Sequence, residues 1–104
     1  MEIYYWPIQG RVECARILCA YLKVDYEFKA ITSKENLAEV YAQLKPALPN
    51  VPMIVDGDQI ITQTTAVINH ICVKGGDATL GGKTPEDKGI MLMVTGHLGD
   101  IFRL

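Results

Sequence analysis

The stretch Leu48-Pro49-Asn50-Val51-Pro52-Met53-Ile54-Val55-Asp56-Gly57-Asp58-Gln59-Ile60-Ile61-Thr62-Gln63-Thr64-Thr65-Ala66 admits few folds. Val51 precedes a proline and is pushed towards extended backbone. Pro52 cannot donate to a sheet ladder, so it suits the first position of a strand or a bulge. Asp56-Gly57-Asp58, between the apolar runs Met53–Val55 and Ile60–Ile61, predicts a hairpin. Thr64 or Thr65 is expected to cap a following helix. A strand that opens at a proline leaves the backbone of Val51 unpaired. The helix start offers free N–H groups, preferably to an anion. Two such features a dozen residues apart are expected to face one ligand.

The rest of the chain supplies elements to surround that hairpin. Glu2–Trp6 is aromatic and β-branched and reads as a strand. Pro7 and Gly10 bracket a turn. From Arg11 to Lys23 the apolar residues Val12, Ala15, Leu18, Cys19 and Leu22 recur at helical steps. Tyr26–Ile31 alternates as a second strand. Ser33 is placed to cap a helix from Lys34 to about Leu44, with Leu37, Val40, Tyr41 and Leu44 on one face. Thr65 to Lys74 forms the next helix, with Val67, Ile68, Ile71 and Cys72 inward and Gly75-Gly76 as its C-cap signal. The first strand, helix and second strand predict a parallel βαβ unit, to which the hairpin adds antiparallel strands. Helices are expected to cover the sheet.

Gly81-Gly82 reads as a linker. Thr84, Pro85 and Asp87 then give a strong helix start. That helix is expected from Pro85 to near Leu104, about 30 Å long. Ile90, Val94, His97 or Leu98, and Ile101 form a stripe along it. Gly89, Gly96 and Gly99 each weaken it by roughly 1 kcal/mol relative to alanine. The helix therefore needs a packing partner that the remaining sequence does not supply.

Composition excludes several functions. The chain has 104 residues, 49% of them hydrophobic and 21% charged, and a formal net charge of −2. That is enough for one small domain with a real core. The charge argues against nucleic-acid binding, which needs a basic footprint. No apolar run approaches the ~20 residues of a membrane span. A strand at Met1–Trp6 leaves no room for a targeting peptide, so a cytoplasmic location is expected. Cys14, Cys19 and Cys72 form neither a disulfide framework nor a C-x-x-C motif and are expected as small buried residues in a reducing compartment. His70, Cys72 and His97 lack metal-ligand spacing, so no metal is expected.

The order βαβαββα, with a proline opening the third strand, resembles the thioredoxin superfamily. The run Tyr4-Tyr5-Trp6-Pro7-Ile8-Gln9-Gly10-Arg11-Val12-Glu13 is more specific. So are Arg16, Lys45-Pro46, Asn50-Val51-Pro52, Asp56-Gly57 and Ile61-Thr62-Gln63-Thr64-Thr65-Ala66-Val67-Ile68 in that order. Together they resemble the N-terminal domain of a cytosolic glutathione transferase, closest to mu- or sigma-like members. Leu80-Gly81-Gly82-Lys83-Thr84-Pro85-Glu86-Asp87 resembles the family's interdomain linker and first C-terminal helix. The resemblance implies an α/β, thioredoxin-like domain over residues 1–80 with a mixed four-stranded sheet. Residues 81–104 then represent an all-α domain truncated to one helix.

The resemblance also implies a glutathione site. Tyr5 matches the hydroxyl that donates to the glutathione sulfur, and Tyr4, facing the other side of the strand, is the structural alternative. Val51 matches the backbone that pairs with the cysteinyl part of glutathione, with Pro52 cis. Gln63 and Thr64 match the pair holding the γ-glutamyl carboxylate. Lys45 matches a cation for the glycyl carboxylate, with Asn50 assisting it. Trp6 and Tyr41 are walls, although tryptophan is common where Tyr41 stands. Asp100 matches a carboxylate that reaches across a dimer to the partner's glutathione amine. Gln9 departs from the family's usual basic residue before the glycine. The implied activity is glutathione conjugation to small electrophiles, or a glutathione-dependent isomerisation. The alternative is a non-catalytic docking subunit, with a homodimer or partner chains covering the 85–104 helix. Redox chemistry of the thioredoxin kind lacks its cysteine, because the turn before the first helix is Trp6-Pro7-Ile8-Gln9-Gly10.

Overall fold

The computed structural model describes residues 1–76 and 78–102. The chain runs through β1 (Glu2–Tyr5), a 3-10 turn (Gly10–Val12), α1 (Glu13–Leu22), β2 (Glu27–Ala30), α2 (Lys34–Leu44), β3 (Met53–Asp56), β4 (Gln59–Thr62) and α3 (Thr64–Gly75). A short α4 (Ala78–Gly81) and a long α5 (Pro85–Phe102) follow. The strands make one sheet in the order β2-β1-β3-β4. β1 and β2 are parallel, whereas β3 runs antiparallel to both β1 and β4. This is the expected thioredoxin-like arrangement with a mixed four-stranded sheet.

The core follows from the two periodicities. Ile3 and Tyr5 alternate inward along β1 and meet Ile54 of β3. Val12, Ala15 and Cys19 come from the helical face that precedes and enters α1, and Val67 and Ile71 from α3. Leu18 and Leu22 border this cluster. Ser33 caps α2 by accepting a hydrogen bond from the Asn36 amide at 3.0 Å. Helix α2 contributes no fully buried residue, so it lies more loosely on the domain than α1 or α3.

Three local expectations need correction. Helix α3 is capped neither by Thr64 nor by Thr65, because the left-handed φ of +77° at Gln63 ends β4 and starts the helix one residue earlier. The region read as a linker at Gly81-Gly82 is preceded by α4, whose last residue is Gly81. Cys14 is exposed, unlike Cys19 and Cys72, because it lies off the α1 face that Val12, Ala15 and Cys19 bury.

Helix α5 starts where Thr84 accepts a hydrogen bond from the Asp87 amide at 3.1 Å. Lys88 Nζ donates to Asn69 Oδ1 at 2.8 Å and ties the helix to α3. The stripe remains largely uncovered: Ile90, Val94, Leu98 and Ile101 are 56%, 50%, 48% and 51% exposed. The expected continuation to Leu104 lies outside the described residues beyond Phe102. Among the described residues, no helix is long and apolar enough to cross a membrane.

A polar clamp joins the hairpin to α3. Asp56 Oδ2 lies 2.8 Å from His70 Nε2 and 3.0 Å from Lys74 Nζ. Hydrogen bonds from His70 first, then from Lys74, hold the Asp56 carboxyl below its usual range. A depressed folded-state pKa stabilises the fold above the unfolded carboxylate pKa of about 3.9 and loses that stabilisation as pH falls through the folded value. Asp56→Asn is therefore expected to cost about 1 kcal/mol at neutral pH. Urea unfolding at pH 7 should show this gap between variant and wild type. The gap should close once the pH is well below 4 (~3.9 being the unfolded value). An equal gap at both pH values would count against the clamp.

Candidate functional site

The sheet register gathers the central candidates. Tyr4 pairs with Met53 across β1 and β3, and Met53 pairs with Thr62 across β3 and β4. Tyr5, Pro52 and Gln63 each directly adjoin one of these paired positions along the chain. The ends of three neighbouring strands therefore place these residues side by side. The Val51–Pro52 peptide bond is cis.

Tyr5 is 8% exposed, and its ring belongs to the core. Its hydroxyl oxygen accepts a hydrogen bond from the Arg11 amide at 3.2 Å. Among the described residues, the Tyr5 O–H itself donates to nothing. Tyr4 projects from the opposite face, where its hydroxyl donates to Glu2 Oε1 at 3.4 Å. Burial and then the Glu2 carboxylate raise the Tyr4 pKa. Trp6 follows on the turn and is half-buried against the core.

On the other wall, Lys45 is the exposed C-cap of α2, in the left-handed region at φ +52°, and its amide donates to the Tyr41 carbonyl at 2.8 Å. Tyr41 is half-buried, and burial raises its pKa. The Thr62 hydroxyl donates to the Leu48 carbonyl at 2.7 Å and pins the connecting loop to β4. Asn50 turns to Val51 instead of Lys45: its Oδ1 accepts the Val51 amide at 2.9 Å. The amide expected to face a ligand is thus held by a neighbouring side chain.

Gln63 and Thr64 open α3. Helices α2 and α5 have hydroxyl caps, but α3 starts with no side-chain cap bond. Thr64 shares a cleft of about 330 Å³ with Gln63, Thr65, Arg11 and Asp100 of the same chain. Asp100, which the resemblance assigns to a partner's site, lines this cleft with its own Gln63 and Thr64. Arg11, part of the run that carries the resemblance, also lines this cleft, and its place there depends on how the turn before α1 meets the start of α3.

The sequence profile described as "Glutathione S-transferase, N-terminal domain" matches residues 1–72. The chain belongs to the glutathione S-transferase family. A class-mu 26 kDa isozyme of Schistosoma mansoni is 32% identical over 99 residues, covering 93% of this chain and 44% of that protein. Glutathione S-transferase A2 of Mus musculus is also 32% identical, over 100 residues, covering 95% of this chain and 43% of that protein. Equal identity to mu and alpha members does not single out a mu- or sigma-like subclass. The chain spans less than half the length of both transferases. A transferase from C. elegans superposes with a TM-score of 0.75 over 95% of this chain and 46% of its own, at 17% identity. That likeness speaks for the fold alone.

Beside the polar cleft lies an apolar one of about 250 Å³, walled by Leu18, Ile68 and Leu98, with Cys14, Arg11 and Thr64 at its edge. Burial pushes the Cys19 thiol up to about 11, which removes it from thiolate chemistry at neutral pH. Among the described residues, no three His, Cys, Asp or Glu side chains gather as metal ligands.

Proposed function

We propose that this chain binds glutathione and that Tyr5 stabilises its thiolate for conjugation to small electrophiles. The observation that carries this reading is the buried Tyr5 hydroxyl, whose oxygen accepts the Arg11 amide while its proton is uncommitted among the described residues. A thiol of pKa about 8.5 is only a few per cent ionised at pH 7, and a donor aimed at the thiolate favours that form. The thiolate then attacks the electrophilic carbon. The electron pair of the broken bond leaves with the departing group, or takes up a proton when the reaction is an addition.

The neighbouring residues take the roles their positions allow. Gln63, Thr64 and the uncapped start of α3 hold the γ-glutamyl carboxylate. Asp100 reaches across a dimer to the amine of the glutathione that a partner chain binds. Val51 pairs with the cysteinyl backbone as an added strand, once Asn50 releases its amide. Lys45 takes the glycyl carboxylate, and Trp6 and Tyr41 form walls. Residues 1–80 are the glutathione-binding unit. Residues 81–104 correspond to the family's linker and first helix of its helical domain, which borders the electrophile.

Calorimetric titration of the full chain with reduced glutathione tests the reading. One molecule is expected to bind per chain, and Lys45→Ala is expected to weaken binding by several-fold, as loss of an exposed ion pair of about 1 kcal/mol predicts. No heat at millimolar glutathione would sink it.

The uncovered stripe on α5 favours a second reading, a docking subunit of a larger assembly. Such a chain is expected to self-associate or to be unstable when isolated. A stable monomer by light scattering would remove that reading and leave the first intact.

A further inference from the structure

We propose that Asn50 is a built-in competitor for the Val51 anchor, a carboxamide that stands in for the ligand's backbone carbonyl until the ligand displaces it; this rests on Val51 pairing with the cysteinyl part of glutathione. The Asn50 Oδ1 accepts the Val51 amide at 2.9 Å. A backbone N–H is a single donor. It cannot serve the Asn50 oxygen and a ligand carbonyl in good geometry at the same time. The two acceptors are also alike, since both are amide oxygens. Their bonds to the Val51 amide are therefore similar in strength. Exchanging one for the other fixes the register of the ligand while adding little affinity.

The loop leaves one part free to make this exchange. Residues 45–52 include Pro46, Pro49 and Pro52, each with a fixed φ. The Thr62 hydroxyl holds the Leu48 carbonyl at 2.7 Å, two residues before Asn50. The backbone on either side of Asn50 is thus restrained, and the movable part is the Asn50 side chain. Asn50 is exposed, so rotation about its side-chain bonds carries the carboxamide into solvent, where water satisfies it. Such rotations are fast on the scale of ligand binding. The competitor therefore lowers affinity without slowing entry.

The test uses the full chain and Asn50→Ala. Asn50 does not belong to the residues with left-handed backbone, so alanine brings no strain there. One readout is amide hydrogen exchange at Val51 in the free chain, corrected for the intrinsic rates of the two sequences. The other is titration with two thiols. Glutathione carries the cysteinyl carbonyl. γ-Glutamylcysteamine keeps the γ-glutamyl group and the thiol but lacks that carbonyl. Asn50→Ala is expected to speed Val51 exchange several-fold and to lower the glutathione Kd about fivefold, the size of one neutral hydrogen bond. The γ-glutamylcysteamine Kd should stay at its wild-type value. Unchanged exchange at Val51, a glutathione Kd that holds or rises, or an equal shift for both thiols would overturn the proposal. If the wild-type chain takes up no glutathione, the glutathione reading falls and the proposal with it, whatever Val51 exchange shows. Normal wild-type binding with a silent Asn50→Ala removes the competitor alone.

Discussion

Replacing Tyr5 with phenylalanine is expected to leave glutathione bound but protonated. If the hydroxyl lowers the thiol pKa by about two units, it contributes ~2.7 kcal/mol to the thiolate, within the range for a hydrogen bond to a charged group. With a free thiol near 8.5, the bound thiolate share at pH 7 falls from about three quarters to a few per cent. Affinity falls much less. At pH 7 only part of the stabilisation is linked to binding, so the dissociation constant rises about fourfold. Fold stability falls by about 1 kcal/mol, because the Arg11 amide loses its acceptor. Thiolate absorbance of the complex against pH, set beside a calorimetric Kd, separates these effects. An unchanged thiol pKa would dismiss Tyr5 as the donor. Loss of binding in step with loss of the fold would make Tyr5 a core residue and nothing more.

Gly82→Ala is the strongest expected disruption of the fold outside the core. Gly82 has φ +92°, and a Cβ there would lie 2.5 Å from the Lys88 amide nitrogen and 2.7 Å from its Cα. These are backbone atoms of the first turns of α5, which cannot rotate away as a side chain can. Backbone strain and crowding together are expected to cost about 2–4 kcal/mol, concentrated on α5 and its tie to α3. Gly89, on the same helix, has open space around its would-be Cβ. Gly89→Ala should therefore stabilise by up to about 1 kcal/mol through helix propensity. Thermal unfolding with amide exchange along α5 reads both. Two variants moving the same way would refute the assignment of Gly82 as a close-approach glycine.

Much of this was legible because local signals agreed with the global arrangement. Ser33 and Thr84 cap the helices they precede, and Asp56-Gly57-Asp58 turns the hairpin it announces. The alternation of Ile3, Tyr4 and Tyr5 already separated the core tyrosine from the one that ends on Glu2. What escaped depends on non-local packing. Nothing in the residue type of Gln63 announces a φ of +77°, which the sheet edge and the helix start impose together. Cys14 looked like its buried neighbour Cys19, but the angle between them around α1 turns it outward. His70 and Lys74 lie four residues apart on α3, and that spacing was the available hint that they share Asp56. The Asn50 contact to the Val51 amide is a choice between two nearby partners, and order along the chain does not decide it.

The register of β1, β3 and β4 acts as a ruler. Neighbouring strands lie ~4.8 Å apart, so two steps across the sheet, from Tyr5 past Pro52 to Gln63, span ~10 Å. In the proposed glutathione reading, that distance separates Tyr5, at the thiolate, from Gln63, at the γ-glutamyl carboxylate. The separation of these two proposed anchors is therefore fixed by backbone spacing, which substitutions at the side chains do not alter. A slip of β4 by one residue would turn Thr62, whose hydroxyl pins the Leu48 loop, to the opposite face of the pleat. The hydrogen bonds of the hairpin that hold β4 in register thus set the distance between the two proposed anchors, although none of them lies at the proposed site.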